Sequence, residues 1–364
     1  MKTGHTIHFK NSSLMDSIDN SSIDLVVTSP PYPMIEMWDE AFSSQNKEIE
    51  IALKTNDGSL AFELMHKALD PVWAEVYRVL KDGGFLCLNI GDATRTLDGN
   101  FVLYPNHVRI LHRLLSLGFS SLPCILWRKQ TNSPNKFLGS GTLPAGAYVT
   151  LEHEYILILR KGRKRVFNKE SDKSRRRNSS IFWEERNNWY SDIWFDIKGT
   201  IQALNNKETR LRSAAYPFEL VYRLINMYSV QGDSVLDPFL GTGTTTAACI
   251  ASGRNSIGYE IDEKLKNSIY NGIKNIASMA NQYIVNRIND HLSFVKSRVE
   301  EKKPFKHINK YYGFPVVTAS ERELLLYEIL QISEKQDGFE ITYSDLPNKC
   351  LVSQVVTRGD QSAH

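Results

Sequence analysis

The chain has 364 residues, enough for one large core or two modest ones, and its 41% hydrophobic and 23% charged content is that of a globular protein rather than of a disordered chain. No apolar run approaches the roughly 20 residues that cross a bilayer, and Met1–Lys10 lacks the basic-then-apolar layout of a secretory signal, so a cytoplasmic chain with no membrane partner is expected. Cys87, Cys124, Cys249 and Cys350 are scattered, with no CxxC pair and no clustered histidines, which points to reduced thiols and to neither a disulfide framework nor a metal site. The net charge of +3 hides its distribution: residues 160–177 hold ten Lys or Arg against Glu170 and Asp172, leaving −5 for the rest. A concentration of that kind suits contact with a phosphate backbone, whose neutralisation releases condensed counterions.

Taken in order, short β-rich apolar runs alternate with amphipathic stretches, the pattern of an α/β fold, and no internal repeat is seen. Ile23–Val27 predicts a strand that stops at Ser29-Pro30-Pro31, and Leu60–Leu80 carries apolar residues at helical spacing. Phe85–Ile90 predicts a second strand after the Asp82-Gly83-Gly84 turn, followed by a helix over Val108–Leu117. From Gln130 to about Asn206 the pattern dissolves into Gly, Pro, Asn and basic residues, apart from a strand at Tyr155–Leu159 that runs straight into the basic segment. Trp183, Trp189 and Trp194 in this stretch are expected to form a small local core, because tryptophan buries so much area. A helix over Phe218–Tyr228 precedes the strand Ser234-Val235-Leu236, which enters a glycine-rich turn, a helix containing Thr246–Ile250 and a strand over Ser256–Glu260. Helical stretches continue to about Lys303, and a capping-box pattern at Ser320 and Glu323 predicts a further helix start ahead of Leu324-Leu325-Leu326.

Three strands end in loops of unusual composition, and open parallel sheets bind ligands beyond the carboxyl ends of their strands. Consecutive prolines terminate a strand for lack of an amide hydrogen, so Thr28-Ser29-Pro30-Pro31-Tyr32 has a plain reading as punctuation. Its flanks suit a narrower task. The exocyclic amine of a nucleobase is a weak nucleophile because its lone pair is delocalised into the ring, and hydrogen-bond acceptors around the NH2 push it toward a reactive tetrahedral nitrogen. Ser29 Oγ and the Pro30 carbonyl supply two acceptors, the prolines fix their direction, and Tyr32 offers a face on which an extruded base stacks. The second loop, Asp237-Pro238-Phe239-Leu240-Gly241-Thr242-Gly243-Thr244, lets a ligand approach the backbone closely. Glu260, at the end of the next strand, is placed to accept hydrogen bonds from both ribose hydroxyls of an adenosine-containing cofactor. The absence of a Walker-type lysine argues against nucleoside triphosphate hydrolysis.

Together the loops resemble those of the S-adenosylmethionine-dependent DNA amino-methyltransferases of bacterial restriction-modification systems, specifically the permuted class called beta, in which the catalytic loop precedes the cofactor loop. Arg78-Val79-Leu80-Lys81-Asp82-Gly83-Gly84 and Glu152–Gly162 also resemble family stretches, so the likeness runs from about Ile7 to Glu263. The resemblance implies a Rossmann-like, mostly parallel sheet with one antiparallel strand, an inserted target-recognition region and a C-terminal helical extension. It divides the chain into a catalytic half (1–129), the insert (130–206, with a late core strand near 153–160), a cofactor-binding half (207–303) and an extension of unassigned role (304–364). It makes Ser29, Pro30, Pro31 and Tyr32 catalytic and assigns S-adenosyl-L-methionine to Asn11, Thr28, Asp237, Pro238, Phe239, Gly241, Gly243, Thr244 and Glu260. Lys10-Asn11 stands where the family commonly has Gly-Asp, and Tyr216-Pro217 where it often has His-Pro. Arg160, Lys161, Arg163, Lys164, Arg165, Arg175, Arg176 and Arg177 are the expected contacts to double-stranded DNA.

Direct transfer to an amine needs no metal and no covalent enzyme intermediate; proximity and acceptors suffice. A serine at the head of the first loop resembles the cytosine-N4 enzymes, with adenine-N6 methylation as the alternative, and a partner endonuclease sharing the site is implied. Methylation of RNA or of a protein amide, and a silent DNA-binding module, are the readings outside this class. The chain is expected to act as a monomer or homodimer.

Overall fold

Ile23–Thr28 is buried at all six positions, which requires a sheet covered on both faces. The computed structural model describes residues 1–129, 138–199 and 216–344. Among these described residues the main sheet contains eleven strands. They are β1 (Lys2–His8), β2 (Ile23–Thr28), β3 (Leu80–Ile90), β4 (Phe119–Ser121), β5 (Ile125–Arg128), β6 (His153–Lys161), β7 (Ile193–Trp194), β8 (Ser234–Asp237), β9 (Asn255–Tyr259), β10 (Ile329–Lys335) and β11 (Gly338–Tyr343). The spatial order is β7-β5-β6-β3-β2-β8-β9-β1-β11-β10, with β4 also pairing with β6. β3, β2, β8, β9 and β1 are mutually parallel, so their carboxyl ends share one side of the sheet. β6 runs antiparallel to β3, with Tyr155 opposite Ile90 and Arg160 opposite Phe85.

Period-two alternation sorts the central strands between two cores. Leu25, Val27 and Val235 face α5 (Phe218–Tyr228) and α6 (Thr244–Ser252); Val26, Leu86, Leu88 and Leu236 face α1 (Gly58–Val79) and α2 (Asn106–Ser116), with α3 (Glu170–Asn178) and α4 (Trp183–Trp189) between the two pairs along the chain. In α1 the buried residues Ala61, Met65, Leu69, Val72, Trp73 and Val76 recur at helical spacing, and Asp57 caps the helix by accepting from the Leu60 amide at 3.0 Å. The α/β class and the mostly parallel sheet expected from the sequence are therefore observed.

Three expectations change. Trp189 and Trp194 do not form a local core but join the main one beside α5, while Trp183 is half-buried against Phe294. Among the described residues α7 (Ile276–Glu300) is the last α-helix, and the C-terminal extension as far as residue 344 is built on strands instead: β10 and β11 form a hairpin whose second strand pairs antiparallel with β1. Phe339, Ile341 and Tyr343 alternate into the core, a period-two pattern that the preceding leucine run obscures. The capping box falls on Thr318 and Glu321 rather than Ser320 and Glu323, and it starts only a short 3-10 turn at Ala319–Glu323, which packs Leu324 and Leu325 into a satellite core under α7. Residues 130–137 and 200–206 of the expected insert, and Cys350, lie outside the described residues.

Candidate active site

A cavity of about 740 Å³ opens at the carboxyl ends of β2, β3, β8 and β9. Ser29, Pro30, Pro31 and Tyr32 line one side; Pro238, Phe239, Gly241, Thr244 and Glu260 line another, with Asn11 beside them. Two loops separated by some two hundred residues thus share one cavity because their strands, β2 and β8, are parallel neighbours.

The other sequence-predicted residues stand behind this wall. Thr28 ends β2 fully buried and donates from Oγ1 to Asp237 Oδ1 at 2.7 Å. Asp237 also accepts from the Phe239 amide (3.0 Å), Tyr216 Oη (3.2 Å) and Thr245 Oγ1 (2.5 Å), so its carboxylate is spent on holding the loop. Burial raises the Asp237 carboxyl above its ordinary range, and these four donors oppose that shift only in part. Gly243 sits under the cavity as the residue before α6, at φ 88°, a conformation few residues but glycine adopt. Tyr216, whose ring lines the cavity, binds the same Asp237 and Thr245, so its hydroxyl organises the loop from a position where the family often has histidine.

Glu260 follows β9 directly. Its Oε2 accepts the Gly241 amide and its Oε1 the Asp262 amide, both at 2.8 Å, and burial raises its carboxyl above the usual value. Each oxygen keeps lone-pair capacity beyond its one amide. Gly241 lies at φ 56° with open space where a Cβ would project, so the backbone is bare on the cavity side. A mostly apolar cradle, an acid with spare acceptor capacity and an unshielded glycine backbone fit an adenosine-type ligand.

Sequence reasoning did not single out the polar cluster beneath Tyr32. The Tyr32 hydroxyl donates to Glu154 Oε2 at 2.9 Å, lies 3.0 Å from Ser29 Oγ and accepts from Asn89 Nδ2 at 2.9 Å. Asn89 Nδ2 also donates to Glu154 Oε2 at 2.6 Å, and Lys129 Nζ reaches Glu154 Oε1 at 2.8 Å. Glu154 is buried, and burial together with its charge pushes the Tyr32 hydroxyl well above the ordinary tyrosine value. The signal was an acid at the head of the apolar run Tyr155–Leu159, on the strand that crosses to the end of β3.

The basic run is not brought to this cavity. Because β6 is antiparallel, its carboxyl end leaves the sheet at the opposite side: the five steps from Tyr155 to Arg160 alone carry the chain about 17 Å away. There Lys161 Nζ donates to the Tyr77 and Leu80 carbonyls at 2.7 Å, and Arg165 pairs with Asp233 at 2.6 and 3.0 Å. Arg160 bonds the Gly162 carbonyl, Arg175 pairs with Asp172, and Arg177 pairs with Glu170 and Glu323. Arg163, Lys164 and Arg176 are exposed.

Comparison with known proteins now adds the chemistry. The model of the DNA methylase family matches residues 23–271, the span that contains both loops. The chain belongs to this family. The methylase is 50% identical over 351 residues to the type II methyltransferase M.MthZI of Methanothermobacter thermautotrophicus, covering 96% of this chain and 98% of that one. It is 51% identical over 275 residues to the type II methyltransferase M.MjaI of Methanocaldococcus jannaschii, covering 72% of this chain and 89% of that one. A DNA modification methylase from Thermus thermophilus, solved with S-adenosyl-L-methionine, superposes with a TM-score of 0.56 at 31% identity over 73% of this chain and 93% of that one. The PvuII cytosine-N4-specific DNA methyltransferase, at 18% identity and a TM-score of 0.53 over 77% of this chain and 93% of that one, shares the fold. The methylase is therefore an S-adenosyl-L-methionine-dependent DNA amino-methyltransferase of the type II restriction-modification kind.

Proposed function

We propose that the methylase transfers a methyl group to the exocyclic N4 amine of a cytosine swung out of duplex DNA, at a site shared with a partner endonuclease. The observation that carries this reading is the Ser29-Pro30-Pro31-Tyr32 loop, whose four residues line the same cavity as Gly241 and Glu260. Serine at the head of that loop, in place of aspartate, is what favours cytosine over adenine.

The roles follow from the donor and acceptor inventory. Ser29 Oγ and the Pro30 carbonyl accept from the target amine, drawing its lone pair out of conjugation, and Tyr32 presents a ring on which the base stacks. Glu260 and the bare Gly241 backbone hold the adenosine part of the cofactor, with Asn11, Pro238, Phe239 and Thr244 walling it in, while Thr28, Asp237, Gly243 and Tyr216 shape that loop from behind. The cofactor supplies an already activated sulfonium methyl, so the protein's contribution is placement and acceptors rather than a strong base. Lys10, Lys129 and His153 at the cavity wall are nearer to an entering nucleotide than any of the run from Arg160 to Arg177.

The test is to incubate the protein with unmethylated DNA and methyl-labelled S-adenosyl-L-methionine, digest to nucleosides and weigh the products. Label in N4-methylcytosine is the expected result. Label in N6-methyladenine keeps the chemistry and overturns the base; no label in DNA overturns the proposal.

A further inference from the structure

Resting on amine methylation as the reaction, but on neither choice of base, we propose that Glu154 is a positioning residue that fixes the hydrogen-bond polarity of Ser29 through Tyr32 and takes up the proton the amine loses.

The argument is a count of protons. A tyrosine hydroxyl has one hydrogen, and the ionised Glu154 is an acceptor only, so the 2.9 Å bond between them is Tyr32 donating. Asn89 Nδ2, facing both a carboxylate and that oxygen, donates to each. The Tyr32 oxygen is therefore left to accept, and its 3.0 Å contact with Ser29 Oγ must be the serine donating. With its only hydrogen committed, Ser29 keeps two lone pairs for the target amine. Without Glu154 the tyrosine hydrogen is free to turn toward Ser29, which then has its own hydrogen free to point at the base. Lys129 at 2.8 Å from Oε1 keeps the carboxylate oriented, with Oε2 toward Tyr32.

The same chain of contacts moves a proton without a strong base in the loop. As the bond from the amine nitrogen to the methyl carbon forms, the bond from that carbon to the sulfonium sulfur breaks and its electron pair stays on the sulfur. The nitrogen then bears a surplus proton. It passes to Ser29 Oγ as the serine hydrogen shifts to Tyr32 and the tyrosine hydrogen shifts to Glu154 Oε2, and the protonated glutamic acid later releases it to solvent. The carboxylate that a serine-headed loop lacks is in this way supplied two hydrogen bonds away, from a strand of opposite direction.

Two variants separate this from mere packing. Glu154→Gln and Tyr32→Phe each keep the bulk and ring they replace, and each is expected to lower kcat about 100-fold, with KM for DNA and cofactor affinity nearly unchanged. The double variant should be no slower than the worse single one. The relay predicts an acid limb in the kcat profile and a solvent isotope effect for wild type, and both should vanish in the two variants. A readout independent of turnover is the infrared carboxylate band of glutamate-labelled protein assigned by the Glu154→Gln difference, which should shift in Tyr32→Phe. Full kcat in Glu154→Gln, multiplicative losses in the double variant, or a lowered kcat with the pH profile and isotope effect intact would overturn the relay. Wild-type protein that places no methyl on any DNA amine would instead bring down the reading in the preceding subsection.

Discussion

The two ends of the sheet handle charge in opposite ways. At the carboxyl end of the parallel strands the contacts of the buried carboxylates converge: Glu154 gathers Tyr32, Asn89 and Lys129, and Asp237 gathers Thr28, Tyr216 and Thr245. At the amino end the cations are many, exposed or half-exposed, and engaged one by one with local partners. Lys161 satisfies two carbonyls, of Tyr77 and Leu80 at the end of α1, the position where a helix dipole favours a cation. Arg165 clamps Asp233 and approaches Asp24, tying the starts of β8 and β2 together. Charge counted along the chain singles out the amino end, whereas convergence of partners in space singles out the other.

If the division holds, the largest effect belongs to the cavity. Ser29→Ala removes an acceptor poised where the amine must sit and should lower kcat about 100- to 1000-fold, with cofactor affinity measured by calorimetry nearly unchanged. A parallel collapse of cofactor affinity would mean that the loop is structural and would erase the contrast. At the other end Arg165→Ala should act on folding alone. It leaves Asp233, buried, without its cation, and should cost about 3 kcal/mol in denaturant titration, near the lower bound for breaking a buried pair because Arg165 itself is partly exposed, while kcat per folded molecule stays at the wild-type level.

Glu260→Ala should weaken cofactor binding about 10- to 100-fold, the loss of one or two charge-assisted hydrogen bonds. Here the pH sign can be worked out. Burial raises the Glu260 carboxyl in the free protein, and the ionised form is the better acceptor, so lowering the pH through that raised value converts binding-competent protein into a weaker form. Cofactor affinity should fall on acidification in wild type, and Glu260→Gln should flatten that dependence. A steeper fall in the variant would contradict the assignment.

Much of this site was legible beforehand, for a definite reason. Ser29-Pro30-Pro31-Tyr32 and the Gly241 loop are local, each strand-ending signal written in consecutive residues, and neighbouring parallel strands bring them to one cavity. What could not be read was direction. Nothing in Tyr155–Leu159 states whether the strand runs with or against β3, and that one bit decides that Glu154 enters the site while Arg160 to Arg165 leave it. The C-terminal hairpin escaped for a related reason: Phe339, Ile341 and Tyr343 alternate clearly, but their partner is β1, more than three hundred residues earlier. The Trp189 and Trp194 side chains were correctly placed in a core, yet in the wrong one, because burial is a property of composition and address is a property of topology.

The smallest expected effect is also the sharpest test of the contrast. Arg163 and Lys164 are exposed at the amino end, in the run whose charge first suggested a phosphate contact. Replacing both with glutamate changes the local charge by four units, and if that surface touched the duplex held in the cavity, affinity should drop at least tenfold and the dependence of binding on salt should flatten. With the sheet lying between this surface and the cavity, the double variant should instead methylate a short duplex within about twofold of wild type, with the same salt slope. A flattened slope on a short duplex would mean that the DNA wraps the end of the sheet, and the two ends would then belong to one binding surface after all.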